Sequence, residues 1–515
     1  MQALLPTDCL NGIFKCLLDD LNDASSLHSC LLVNKLWCET VIPLLWNNPW
    51  QCAKLIINNN DWPPLVRTLL SCLPEDSKEI LRNNGINLLL RTTSSPPLFD
   101  YVGYCQHLSP TVMDKLKSVT VDEDNKNNVN SECYLPKAYR EHLVEQEFYK
   151  LFMTKCSLKY LVLPKIPLAY FPGASHCLEY LRELKCYTER PPELFYGLAH
   201  ISRNLHRLTI YPCDQDNDGL ITLIKLQKGL KTLVLVSSED YVSICPEIGQ
   251  ALATQMHSLS SLKIRQSLCI PPKAISSFIN LRILQLDITT EVSNIELLSR
   301  VILPKLEILD IFCDENAPFN TYSSLISNSI SSSNSPCLKR IYWHKINLPC
   351  SEEIGQYIQI LLPVSSTLRF LTVWWSEELF TLLNLCDQLE TIKFCNHKDL
   401  RGNVDYLSNN LIESENCLQG KLIFELLKVL SLENLCIICL QGRWAFTLQE
   451  LKEFLEFWKE QRKNTLSVYL LSFENKFKIE PEGIIREYLS EGILKDFGDR
   501  DSLENFYSME VNMNI

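Results

Sequence analysis

From Leu158 onward one short arrangement of apolar residues keeps returning: an apolar residue, a second three places later, and a third two places after that. It reads Leu158-Lys-Tyr-Leu161-Val-Leu163, Leu205-His-Arg-Leu208-Thr-Ile210, Leu230-Lys-Thr-Leu233-Val-Leu235, Leu281-Arg-Ile-Leu284-Gln-Leu286 and Leu306-Glu-Ile-Leu309-Asp-Ile311. It then continues from Leu338, Leu368, Leu389 and Leu427, with weaker starts at Leu181 and Leu259. The closing alternation has the period of two that buries one face of a strand. A unit that recurs every 27 or so residues cannot close a core alone, so the pattern predicts stacked strands sharing one core.

The N-terminus has a different period. Leu10, Ile13, Phe14 and Leu17, then Leu27, Cys30, Leu31, Val33 and Trp37, fall three or four apart, the spacing of amphipathic helices. Pro6 suits a first helical turn and Asp8 the positive end of a helix dipole. The run Asp19 to Ser25 is rich in turn formers, and Ser25 or Ser26 is placed to cap a second helix. The expectation is a helical hairpin with a third short helix around Val41 to Trp46.

Residues 51–150 read as a linker of helical pieces, Leu65 to Cys72 and Ser77 to Arg82, with a mobile loop at Asp122 to Ser131. Ser327 to Ser335 reads as an insertion at a turn between repeats. Near the end, Thr447-Leu-Gln-Glu450 is a capping box opening a helix with Leu448, Leu451, Phe454, Leu455 and Trp458 on one face. Leu466 to Leu471 is the expected last strand, and 476–515 a charged cap or tail. The domains expected are therefore 1–50, the linker 51–150, the repeats 151–475 and the remainder.

Composition narrows the function classes. At 515 residues, 46% hydrophobic and 21% charged, the chain describes a folded protein with a large core. A net charge of -12 without a basic run argues against nucleic-acid binding. No signal-peptide pattern opens the chain and no run of about 18 apolar residues indicates a membrane span. The 22 cysteines then read as buried reduced thiols of an intracellular protein, cytoplasmic or nuclear; the Cys436-Ile-Ile-Cys439 pair is expected in the core.

Chemistry is sparse. Asp214-Gln-Asp216-Asn-Asp218-Gly219 copies half of a calcium loop, but Lys225 stands where the bidentate Glu belongs, and a turn accounts for it better. The nine histidines form no ligand pair, and no glycine-rich phosphate loop is present. The expectation is a non-catalytic chain without metal or cofactor. Lys159, Arg207, Lys263, Arg282, Glu307, Arg340, Arg369 and Glu390 are placed on or near the open strand face. Aromatic and Arg side chains favour interfaces, which makes Tyr342, Trp343, Arg369, Trp374 and Trp375 the candidate target-binding patch, with core filling as the alternative for Trp343 and one of the Trp374/Trp375 pair.

The repeat spacing fits the leucine-rich-repeat period of about 20 to 29 residues, although the Asn or Cys usual after the third apolar position is mostly missing; only Asn434 is suitably placed. The N-terminal order Leu5-Pro6-x-Asp8-x-Leu10, Ile13-Phe14, Leu17, Leu27-x-x-Cys30-x-x-Val33-x-x-x-Trp37 and Trp46 resembles the F-box. That resemblance implies an α/β chain, a three-helix F-box followed by a leucine-rich-repeat solenoid. It further implies that Leu5, Pro6, Leu10, Ile13, Phe14, Leu27, Cys30 and Val33 contact a Skp-type adaptor of a cullin–RING ubiquitin ligase, while Trp37 and Trp46 hold the module together. The repeats would then hold a protein substrate. The alternative is a leucine-rich-repeat interaction scaffold outside any ligase, its hairpin merely capping the repeats.

Overall fold

In a computed structural model the described residues are 6–19, 24–50, 62–86, 97–127, 135–238, 243–288, 294–313, 319–332, 337–344, 349–395, 418–430, 432–441, 444–445, 447–461, 464–471 and 482–498. They divide into two compact units, Met1–Tyr211 with Asp216–Leu230, and Pro212–Gln215 with Lys231–Ile515.

The first unit opens with α1 (Thr7–Asp19), α2 (Ala24–Cys30) and α3 (Lys35–Asn47). Leu10, Phe14, Leu27, Val41 and Leu45 form one buried cluster, with Trp37 and Trp46 packed on it. The third helix is longer than expected and takes in Trp37. Its start is set by Asn34, whose Oδ1 accepts the Trp37 N–H at 2.9 Å and so satisfies a free donor of the first turn. The second helix correspondingly stops at Cys30, and Ser25 and Ser26 lie inside it rather than before it.

The expected linker is part of the repeating body. Helices α4 (Trp62–Ser71) and α5 (Glu75–Asn83) match the sequence pattern, but β1 (His107–Leu108) already pairs in parallel with β2 (Tyr160–Val162). Between them, α6 (Pro110–Asn127) runs through the first part of the expected mobile loop. Its buried stripe Val112, Met113, Leu116 and Val121 sets the helix, and no Gly or Pro interrupts the polar stretch behind it. The rest of that loop lies outside the described residues. After α7 (Lys137–Lys155), β3 (Glu183–Cys186) and β4 (Arg207–Ile210) continue the parallel order.

In the second unit β5 (Thr232–Val236), β6 (Ser261–Arg265), β7 (Ile283–Ile288), β8 (Ile308–Cys313), β9 (Arg340–His344), β10 (Phe370–Trp374) and β11 (Thr391–Cys395) pair in parallel, each with the next in sequence. A small pair of strands, β12 (Leu418–Gln419) and β14 (Trp444–Ala445), stands apart, while β13 (Ile437–Gln441), β15 (Leu466–Leu471) and β16 (Leu494–Gly498) extend the main order. Parallel neighbours joined by helical crossovers of one hand place the helices on one face and leave the other open. Within each strand the apolar pair of the sequence pattern faces the helices: Leu262 and Ile264, Leu284 and Leu286, and Leu309 and Ile311 are all buried.

Three expectations change here. Leu427, Leu430 and Leu432 do not start a strand: Gly420–Val429 is a helix, and the strand of that repeat is β13, where Leu435, Ile438 and Leu440 repeat the spacing. Both stretches carry the same apolar triplet, and only stacking against β11 selects the second. Ser327 to Ser331 belongs to the helix Phe319–Ser331, since Ser329 is buried and its Oγ accepts the Leu303 N–H at 3.2 Å, while 333–336 lie outside the described residues. The repeats do not end near 475 either, because the helix Glu482–Ser490 and β16 add a further unit. The capping box is present: Glu450 accepts the Thr447 N–H at 2.8 Å, and Thr447 Oγ1 accepts the Glu450 N–H at 3.2 Å.

The backbone groups between repeats are satisfied from an unexpected place. Asn280, Asn434 and Asn464, each standing just ahead of an apolar triplet, donate from Nδ2 to His257 O, Asp387 O and Glu433 O in the preceding repeat, at 2.7 to 2.8 Å. At the usual post-strand position Cys213 does occur, three places after Ile210, packed in the second unit against Cys245 at 4.0 Å.

Candidate functional site

Two surfaces are candidates, and each was only half legible in the sequence. On the N-terminal hairpin, Leu10, Phe14 and Leu27 are almost completely buried, so these three expected adaptor contacts are interior residues that hold the module together. Phe14 meets Trp37 edge to face at 5.2 Å, and Trp46 lies 4.5 Å from Tyr101, so both tryptophans brace the hairpin. Pro6 is exposed, Ile13 and Val33 are 48% and 56% exposed, and Cys30 is half-buried. Leu5 lies outside the described residues. Leu32, at 89% exposure, was missed; it sits in the turn after α2, where helical spacing ceases to report on facing.

The aromatic tract is a correction. Tyr342, Trp343 and Trp374 are at most 2% exposed, so they do not offer a target surface; only Arg369 is exposed and Trp375 partly so. Trp343 stacks on Phe319 at 5.1 Å, and Trp374 meets Trp343 edge to face at 5.7 Å, with Tyr357 beside both. Trp374 is turned inward because β9 and β10 part after two paired positions, Arg340 with Phe370 and Ile341 with Leu371. Side chains from the following strands replace the missing ladder: Thr372 Oγ1 accepts the Trp343 N–H at 3.3 Å and donates to Ile341 O at 3.2 Å, while Lys393 Nζ donates to Trp343 O at 2.9 Å. Inter-strand side chains thus do the work of backbone amides.

The open strand face carries a polar groove of about 350 Å³, lined by Lys263, Arg265, Gln285, Asp287, Asp310, Phe312 and His344. Strand register builds it in two rows. Lys263, Gln285, Asp310 and Tyr342 are neighbours across β6 to β9, and Arg265, Asp287, Phe312 and His344 are neighbours one pleat further on. Asp310 has both oxygens engaged, Oδ1 with His344 Nε2 at 2.9 Å and Oδ2 with Gln285 Nε2 at 3.0 Å. Burial pushes the Asp310 carboxyl up, but the bonds from His344 and Gln285 and the nearby Lys263 charge together outweigh it and hold it below the usual carboxylate range. Arg265 Nε donates to Asp287 Oδ2 at 2.9 Å. Of this groove, sequence reasoning named only Lys263. The signal for the rest was present: these residues stand between the second and third apolar positions of each triplet, or directly after the third.

The charged residues at the strand entrances pair with one another, as Glu307 does with Arg282 at 3.1 Å and Lys339 at 2.8 Å, and Arg369 with Glu390 at 3.5 Å. In the first unit Asn217 caps the helix Asp218–Lys225 and donates to Thr188 O and Arg190 O, which makes the calcium-like string a turn and cap. Cys439 is buried in the core and Cys436 is half-buried. Among the described residues no three His, Cys, Asp or Glu side chains are grouped to hold a metal ion, and no helix is long and apolar enough to cross a membrane.

Compared with known proteins, the chain matches no protein-family profile, and no curated sequence matches it.

Proposed function

We propose that this chain is the substrate-recognition subunit of a cullin–RING ubiquitin ligase of the SCF type, its N-terminal hairpin an F-box that binds a Skp-type adaptor and its strand–helix body a leucine-rich-repeat solenoid that holds a protein target. One observation carries the reading. The hairpin has a closed core of its own, yet Ile13, Leu32 and Val33 remain exposed, leaving apolar area that water disfavours and a partner helix can cover. The F-box order of residues supplies the partner's class. In this reading the chain forms no covalent intermediate; holding adaptor and target together raises the effective concentration of the target at the ubiquitin carrier.

The test is co-expression with a Skp-type adaptor and size-exclusion chromatography of the full chain. A stable one-to-one complex is expected, abolished by Ile13→Asp with Val33→Asp in a variant whose circular dichroism and unfolding midpoint are unchanged. Failure of folded wild-type protein to bind the adaptor, or binding indifferent to both substitutions, would overturn the assignment.

A further inference from the structure

We propose that the groove across β6 to β9 binds a carboxylate side chain of an extended peptide, and that an apolar residue of the same peptide rests on Phe312. This deepens, and rests on, the target-holding role proposed for the repeats.

The acidic groups of the groove are already engaged. Both oxygens of Asp310 are taken, by His344 and Gln285, and Oδ2 of Asp287 is taken by Arg265. On β6 the balance is reversed. Lys263 has no hydrogen-bond or ion-pair partner among the described residues, and Arg265 uses Nε alone, which leaves its terminal nitrogens as donors. Lys263 and Arg265 are two residues apart on one strand, so they share a face at roughly 7 Å and can close on one acid group between them. Charge-assisted bonds of this kind are the strong ones, and guanidinium matches a carboxylate through two parallel bonds.

The neighbouring carboxylates limit the charge of the ligand. Asp287 stands beside Arg265 on the next strand and Asp310 one strand further on, so the groove already holds two carboxylates; a singly charged carboxylate is accommodated and a dianion is repelled. Phe312, in register with Asp287 and His344, is the apolar ring of the lining and stands two strands from β6, about 10 Å away at the usual strand spacing. That separation corresponds to two or three residues of extended chain, so the ligand carries its acid and its apolar group at that interval. A volume of about 350 Å³ seats a few side chains, not a single ion.

The experiment is selection of a displayed library of random twelve-residue peptides on the immobilised full chain, followed by fluorescence anisotropy of the enriched peptides in solution. Expected are sequences with Asp or Glu two or three places from an apolar residue. Their affinity should fall roughly tenfold or more on Lys263→Met or Arg265→Gln, and on Glu→Gln in the peptide, and should weaken with added salt. Arg203→Gln, on the first unit, is the control and leaves binding unchanged. No enriched peptide, enrichment without acidic residues, or binding indifferent to both groove substitutions in folded variants overturns the proposal. Adaptor binding without acidic-peptide binding removes this proposal and leaves the ligase reading standing; the reverse result removes the ligase reading and leaves the groove.

Discussion

Thr372 is the residue whose loss should be felt most out of proportion to its size. Its hydroxyl stands between two backbone groups of β9, accepting from Trp343 N–H and donating to Ile341 O, at a place where residues 341, 343 and 372 are all buried to 1% exposure or less. Valine has nearly the same shape, so Thr372→Val opens no cavity and isolates the hydrogen-bonding term. An orphaned buried N–H costs about 1–3 kcal/mol, and Ile341 O loses one of its partners as well, partly offset because a hydroxyl no longer has to be desolvated. The expected loss is about 2 kcal/mol. Because a long repeat chain need not unfold in one step, the cleaner assay is local: hydrogen–deuterium exchange of the peptide containing Trp343, which should quicken by about 30-fold. Thr372→Ser keeps the hydroxyl and should preserve that protection despite losing a methyl. If exchange at Trp343 changes less than about threefold in the valine variant, the side-chain substitution for the backbone ladder is not what secures the gap between β9 and β10.

Leu10→Ala should cost about 2–5 kcal/mol in urea unfolding of the first unit, whereas half-exposed Ile13→Ala should leave the midpoint nearly unchanged, separating hairpin interior from hairpin surface. Because the Asp310 carboxyl is held below its unfolded value, its contribution is complete above about pH 5 and is lost as the pH falls through the lowered folded value; Asp310→Asn should flatten the acid limb of the stability curve. Asn434→Ala should lower stability by about 1 kcal/mol by releasing Asp387 O, read from the unfolding midpoint. Of the described cysteines, Cys9, Cys16 and Cys350 should react first with Ellman's reagent in native protein, while Cys177, whose thiol burial pushes up to about 12, should label only on unfolding.

The sequence by itself determined the period. Spacing of three and then two apolar residues specified one buried strand face in nearly every repeat, and three-to-four spacing specified the N-terminal helices, because burial of one face is a local property of strand and helix geometry. What local pattern leaves open is which of two equivalent triplets is stacked. Leu427 and Leu435 both begin the right spacing, and only the position of β11 made β13 the strand. Facing was ambiguous wherever the ladder failed: by alternation Trp374 belongs on the open face, but the parting of β9 from β10 let it turn in against Trp343 and Phe319. The groove is tertiary in the same sense. Lys263, Asp287, Asp310 and His344 are spread over some eighty residues of chain, and only parallel register brings them side by side; a single strand's sequence says which residues point outward, not what stands next to them.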